Sequence, residues 1–376
     1  MEEPVLTSYT PQIPSIPAAP EMWQRAAAES IAEREPLIPA IPPLNTALFF
    51  LTLLTTTAAG AMMAGYDVTF AHPVWSFVAL LSGLSFSIPL MLILLSHEMG
   101  HYVTSRIHRV DTTLPYFIPA PPSIFIIGTL GAFIRMKSLP RTRRAMFDIG
   151  AAGPWAGIIV AIPVLIIGLF LSDVTPMNPG AGGLQLGNSL LFYWLSWLVL
   201  HVDPNSVNVA LSPIAFAGWL GLFVTTLNLL PVGQLDGGHV MYTLFPRQHR
   251  AIGRAFVAGC FLMVLLPLAL GGQAWWGWLL WAGIILVLGL GHPPTVDLDT
   301  PLDPVRRFAA WATVALFLVT FSPVPISIQP PAYQPPPAPE RTIQVLRDSP
   351  HRHEAAGVAF YLPNFGGIVG RGLENG

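Results

Sequence analysis

Runs of about 20 residues with almost no charge constrain this chain more than any other feature, because a hydrocarbon core about 30 Å thick demands that length of apolar helix. Seven such runs lie at 45–65, 74–106, 149–171, 209–230, 252–270, 274–291 and 308–323. A soluble core cannot hide that many. Only 10% of the 376 residues are charged and 53% are hydrophobic, whereas ordinary soluble domains carry about 25% charge. The pattern predicts an all-α polytopic membrane protein with about seven transmembrane helices. The 74–106 run exceeds one straight crossing, so either Pro89 kinks it or a tilted helix extends past the bilayer.

The remaining segments divide the chain. Residues 1–44 hold six Glu and many Pro and Ala and read as a disordered tail. Residues 45–323 read as one membrane domain with its core at 74–245. Residues 324–376, with the run P-P-A-Y-Q-P-P-P-A-P, read as a Pro-rich tail. The start, M-E-E-P-V-L-T, has neither the basic opening of a signal peptide nor the Arg/Ser-rich makeup of a transit peptide. The first apolar run is therefore expected to persist as a helix, in a cell (plasma or inner) membrane. Residues 114–138 are apolar but carry four prolines together with Gly128 and Gly131, which is poor helix material. They are predicted to form a re-entrant β-hairpin, covered by protein or lining a wet cavity. The aromatic-rich stretch 184–201 is short for a span and predicts an interfacial helix.

Basic residues set the expected orientation. Arg106 and Arg109 follow the second run, Lys137, Arg141, Arg143 and Arg144 precede the third, Arg247 and Arg250 follow the fourth, and Arg306 and Arg307 precede the last. Loops 66–73, 172–207 and 271–273 hold no Lys or Arg. The basic loops are thus expected on the cytoplasmic side, against membrane lipid. A net charge of −2 offers nothing to nucleic acid. The single cysteine, Cys260, excludes an intrachain disulfide framework and a cysteine metal cluster.

At the cytoplasmic end of the second run stands L-L-S-H-E-M-G-H-Y-V. His97 and His101, four apart on a helix, share a face and can bind one metal ion. Glu98 lies about 100° round the helix, placed to reach a metal-bound water, as in the H-E-x-x-H pattern of zinc hydrolases. A charged Glu there costs about 2.5–3.5 kcal/mol at mid-bilayer, a cost that calls for a function. The competing reading is a set of polar residues snorkelling to the headgroups without metal. A third ligand must come from elsewhere. Asp236, in N-L-L-P-V-G-Q-L-D-G-G-H-V, follows a run heading for the same face; a helix N-cap after Pro231 is its other reading. Asn228 suits a hydrogen bond to a substrate carbonyl or oxyanion, or an interhelical bond. His239 reads as supporting rather than ligating, and His108 and His249 as solvated. Gly153, Pro154 and Gly157 suit close helix packing or backbone approach to a substrate. The tryptophans of Q-A-W-W-G-W-L-L-W read as an interfacial belt.

With H-E-M-G-H and N-L-L-P-V-G-Q-L-D-G-G-H, the chain resembles the site-2 protease family of intramembrane zinc metalloproteases. Between them, L-P-Y-F-I-P-A-P-P, G-A-F-I-R-M-K-S and F-D-I-G-A-A-G-P are similar to its EGY-like branch. The likeness spans about residues 45–295. It implies one Zn2+ per chain held by His97, His101 and Asp236, with Glu98 activating water and Asn228 contacting substrate. It also implies a β-hairpin, Gly128, Gly131 and Phe133 within it, that pairs with an unwound substrate strand. Transmembrane protein substrates and regulated intramembrane proteolysis follow as expectations. No PDZ or CBS module is recognisable, and the motifs do not encode an oligomeric state. A zinc or divalent-cation transporter is the rival class, since membrane His and Asp also mark ion pathways, yet it has no need of Glu98. A non-catalytic membrane scaffold has no need of any of these positions.

Overall fold

The computed structural model describes residues 41–66, 73–176, 183–272, 274–292, 297 and 300–329. The two expected tails lie outside the described residues, apart from their inner ends. Pro43 belongs to a helix and residues 326–329 to a strand.

Four helices form the centre: α1 (Pro43–Met63), α2 (Pro73–Ile107), α3 (Arg143–Phe170) and, after the short α4 (Leu190–Leu200), α5 (Pro213–Asn228). α6 (Asp236–Leu244), α7 (His249–Ala269), α8 (Gly277–Leu288) and α9 (Pro304–Thr320) follow. Local signals place the starts. Thr142, Ser212 and Asp303 each accept a hydrogen bond from the amide three residues on, and Pro213 and Pro304 open their helices where no amide partner is needed.

α2 packs on α1, α3 and α5. Its Phe86, Leu90, Ile93 and Leu94 are buried together with Ile158 and Leu165 of α3 and Phe216 and Leu220 of α5. The opposite faces are equally apolar: Leu81, Ile88 and Leu92 on α2 and Ile159, Ile167 and Phe170 on α3 are exposed. Helices apolar all round belong in lipid. Among the described residues, Pro43–Met63, Phe77–Ile107, Arg143–Phe170 and His249–Ala269 are long and apolar enough to cross a membrane. The chain is a helical membrane protein. The runs expected at 209–230, 274–291 and 308–323 give helices of 16, 12 and 17 residues. Pro213 and Pro231 bound the first of these, and Gly289, at φ 92°, ends the second. α2 runs through Pro89 unbroken. Its 35 residues rise about 52 Å, so it continues past the hydrocarbon.

The fold is not purely α. Three two-stranded antiparallel sheets occur among the described residues. β1 (Tyr116–Pro119) pairs with β2 (Thr129–Phe133), β3 (Asp173–Pro176) with β5 (Val207–Ala210), and β4 (Gly183–Leu186) with β6 (Ile326–Gln329). The last two satisfy backbone in the long loops that flank the aromatic-rich α4. The first is a hairpin within residues 114–138. Gly128, at φ 78°, turns into β2 where a Cβ would strike the Thr55 carbonyl, and the Thr55 hydroxyl donates to the Gly128 carbonyl at 2.7 Å. Asn45 donates to the carbonyls of Leu114 and Pro115. The hairpin is thus fastened to α1.

α1 and α2 cross backbone to backbone. A Cβ on Gly60 would lie 2.6 Å from the Gly83 carbonyl oxygen, and Thr56 and Ser87 share a 2.6 Å hydroxyl bond beside it. This is small-residue packing with polar glue, as lipid-embedded helices use. A Cβ on Gly83 would overlap the Thr57 carbonyl. Gly83→Leu should therefore destabilise the protein by about 1–3 kcal/mol, read by denaturation in detergent; unchanged stability would show that this crossing does not hold the bundle.

Candidate metal centre

His97 and His101 stand one turn apart on α2, with ring centroids 4.9 Å apart. Their Nε2 atoms are separated by 3.1 Å, and each lies 3.2 Å from Asp236 Oδ2. Ligands about 2.0–2.1 Å from a tetrahedral metal are about 3.3–3.4 Å apart, so this triangle fits one zinc ion. No further such group occurs among the described residues. All three side chains are largely withdrawn from solvent. Burial alone would raise the Asp236 carboxyl, but the facing imidazoles, His101 first, hold it well below the usual carboxylate range. It is anionic.

Asp236 does not cap its helix: Leu235 is the N-cap residue and Asp236 the first residue of α6. A tight approach brings it there. A Cβ on Gly237 would overlap the Leu229 carbonyl, and one on Gly238 would come within 2.5 Å of the Val232 and Gly233 carbonyls. Only glycine lets α6 start this close to the end of α5.

The imidazoles are held from α3. His101 Nδ1 donates to the Ile149 carbonyl at 2.8 Å, which leaves Nε2 as the metal-facing nitrogen. Gly150, Gly153 and Gly157 form a stripe along the same helix. A Cβ on Gly153 would overlap the His101 ring, one on Gly157 would come within 3.2 Å of His97 Nδ1, and one on Gly150 within 2.7 Å of His239 Cβ. Sequence reasoning took Gly153 and Gly157 for helix packing or substrate approach and missed Gly150. Their spacing of three and four was the signal, for it puts three missing side chains in one line opposite the histidines.

Outside this stripe Asp148, next to Ile149, accepts from Arg306 Nε at 2.8 Å and Nη2 at 2.7 Å and from His108 at 2.8 Å. Arg306 also bonds Asp303 at 2.7 Å. This ties the start of α9 and the end of α2 to the turn that presents the Ile149 carbonyl. His108 is therefore not simply solvated. Neither is His249, which is only 2% exposed.

Glu98 is buried beside the triangle, with the Ile134 backbone, just past β2, next to its carboxyl group. Asn228, the last residue of α5, has its amide nitrogen 3.1 Å from His97 Nε2. His239 turns away: its Nδ1 lies 2.6 Å from His292 Nε2, and burial, reinforced by His292, pulls it down to about 3. Gly128, Gly131 and Phe133 lie on the hairpin, away from the three donors. Of the tryptophans, Trp276 is exposed as a belt requires, while Trp278 is buried and donates to the Pro323 carbonyl at 2.7 Å.

These side chains form a candidate metal centre set in a membrane helix bundle. Residues 85–270 match peptidase family M50. "Probable zinc metalloprotease EGY1, chloroplastic" of Oryza sativa subsp. japonica is 32% identical over 254 residues, covering 65% of this chain and 41% of that protein. The protein of the same name from Arabidopsis thaliana is 30% identical over 238 residues, covering 62% and 41%. "Probable zinc metalloprotease EGY2, chloroplastic" of Arabidopsis thaliana is 25% identical over 238 residues, covering 63% and 40%. No solved structure matches. The chain is thus similar to peptidase family M50 over this stretch and resembles the EGY proteins. It spans about two fifths of the length of these relatives.

Gly153→Ala, a single methyl aimed at the His101 ring, should lower zinc affinity at least about tenfold, measured as metal content of the purified protein with helix content unchanged. Full zinc occupancy in that variant would refute the cradle.

Proposed function

We propose that this chain is an intramembrane zinc metalloprotease that hydrolyses peptide bonds of transmembrane proteins, in regulated proteolysis. One observation carries the reading: two imidazoles and a carboxylate 135 residues beyond the second of them meet within 3.2 Å beside a buried Glu. His97, His101 and Asp236 hold the ion. A zinc ion held by these three would supply Lewis acidity, polarising the scissile carbonyl and lowering the pKa of a water toward about 7. Glu98 accepts the proton of that water and returns it to the leaving amine. With His97 Nε2 committed to metal, the Asn228 amide turns its donors to the substrate carbonyl and its developing oxyanion.

A helical substrate shields its peptide bonds and must be unwound. The β1–β2 hairpin, with Gly128, Gly131 and Phe133, takes the unwound segment as an added strand, and the closeness of the Ile134 backbone to Glu98 supports this. We further infer about seven membrane crossings, a hairpin that re-enters the bilayer, and a protease domain at 45–323 with its core at 74–245. The alternation of basic and uncharged loops supports a site opening toward the cytoplasmic side of a cell membrane. The relatives' names place those proteins in chloroplasts, so fractionation of the tagged chain decides the membrane.

Glu98→Gln should abolish cleavage, a loss of at least about 100-fold, while the protein keeps one zinc per chain. Asp236→Ala should lose both zinc and activity. Asn228→Ala should keep zinc and lower kcat by about 100-fold. Substrate fragments accumulating in Glu98→Gln membranes, followed by mass spectrometry, check the first; cleavage by the purified Glu98→Gln protein would refute the assignment.

A further inference from the structure

We propose that Arg135 and Lys137, beside the Tyr116–Phe133 ring pair, form a pocket for an acidic side chain on the substrate strand, within about three residues of the scissile bond. This deepens the function proposed above and rests on its strand-pairing step.

The hairpin ladder continues beyond β1 and β2. The Thr113 amide donates to the Arg135 carbonyl at 3.0 Å, and the Lys137 amide to the Asp111 carbonyl at 2.7 Å. The Arg135 amide donates to the Thr113 hydroxyl at 3.0 Å. Arg135 and Lys137 thus turn their backbones toward the 111–113 segment. In an antiparallel ladder the alternate residue turns outward. Ile134 is that residue, and its backbone lies beside Glu98. The outer edge of this strand therefore faces the carboxylate assigned to the hydrolytic step. A peptide strand laid on that edge advances about 3.3 Å per residue, so its residues opposite 133–137 lie within a few positions of the bond being cut.

Side chains facing each other across paired strands share a face. By the same alternation Phe133, Arg135 and Lys137 share one face. There the structure opens a cavity of about 640 Å3, to which Leu44, Tyr116 and Met136 also contribute. Phe133 stacks on Tyr116 with centroids 5.6 Å apart and is 47% exposed, giving the cavity an apolar wall. Among the described residues no carboxylate lines it, and neither Arg135 nor Lys137 makes an ion pair. An apolar wall ending in two unpaired cations complements a Glu or Asp side chain, whose stem covers the rings and whose carboxylate meets the guanidinium. A Lys at that position faces like charge.

The test uses the full-length Glu98→Gln protein in nanodiscs of neutral phosphatidylcholine. The probes are fluorescent synthetic peptides with a Leu/Ala membrane stretch, a Gly-Pro break and, three residues beyond it, Glu, Gln or Lys. Anisotropy should show the Glu peptide binding about tenfold tighter than the Lys peptide. Added Arg135→Gln and Lys137→Gln should bring that ratio near one, and Arg135→Glu with Lys137→Glu should invert it, with zinc content unchanged in each. Equal binding of Glu and Lys peptides, a preference that survives charge reversal, or no peptide binding above that of empty nanodiscs would overturn the pocket. Peptides N-methylated along the backbone separate the two readings. If methylation leaves affinity intact while the charge preference persists, strand pairing fails and the pocket stands. If methylation weakens binding and charge makes no difference, pairing stands and the pocket fails. Should the reversal alter only phosphatidylglycerol retention, the cations serve lipid headgroups and the proposal is overturned.

Discussion

The bond from His101 Nδ1 to the Ile149 carbonyl sets the rest of the centre. It exists only because α2 and α3 approach at backbone distance. A Cβ on Gly100 would lie 2.5 Å from the Ala152 carbonyl oxygen, and Gly153 and Gly157 leave room for the two rings that fill the space between the helices. Widening that gap by one methyl moves the imidazole off its acceptor and its Nε2 off the triangle. Asp148, clamped by Arg306 and His108, keeps the same turn of α3 from drifting. The metal-facing geometry is thus a consequence of helix packing, with the ligands as its visible result.

The surroundings give these polar groups their leverage. In a low-dielectric bundle a carboxylate 3.2 Å from two imidazoles feels a far stronger attraction than it would in water, and each group left unpaired would be costly. The bundle meets this demand by closing the site on itself. α6 begins at Asp236 with two glycines pressed against the α5–α6 loop, while the hairpin, fastened to α1 by Thr55 and Asn45, brings the Ile134 backbone beside Glu98. Glu98, the His97–His101–Asp236 triangle and the hairpin edge are neighbours in one part of the structure.

Much of this was legible because it is local. Two histidines four apart on an apolar helix must share a face, so the pairing of His97 with His101 needs no fold to be seen. The hairpin could be read from four prolines and two glycines, residues that deny a helix. Contacts distant in the chain were harder. His249 lies among arginines and reads as solvated, yet Tyr242 and His292 pack around it. Trp278 reads as part of a belt, yet it points inward. A glycine stripe looks the same whether it faces another backbone or an imidazole, so the role of Gly150, Gly153 and Gly157 appeared only when α2 was seen opposite them. The strand pairs at 173–176 and 183–186 escaped because each partner lies more than thirty residues away.

By itself the sequence determined that this chain lives in lipid and carries a histidine pair with a carboxylate between them, since uncharged runs and helical periodicity are properties of neighbouring residues. Tertiary structure alone decided that Asp236 closes the triangle rather than capping its helix, that a glycine face of α3 cradles the rings, and that the outward edge at Ile134 meets Glu98. Those outcomes depend on how closely backbones from distant parts of the chain approach, and that distance is set by packing, which no local pattern records.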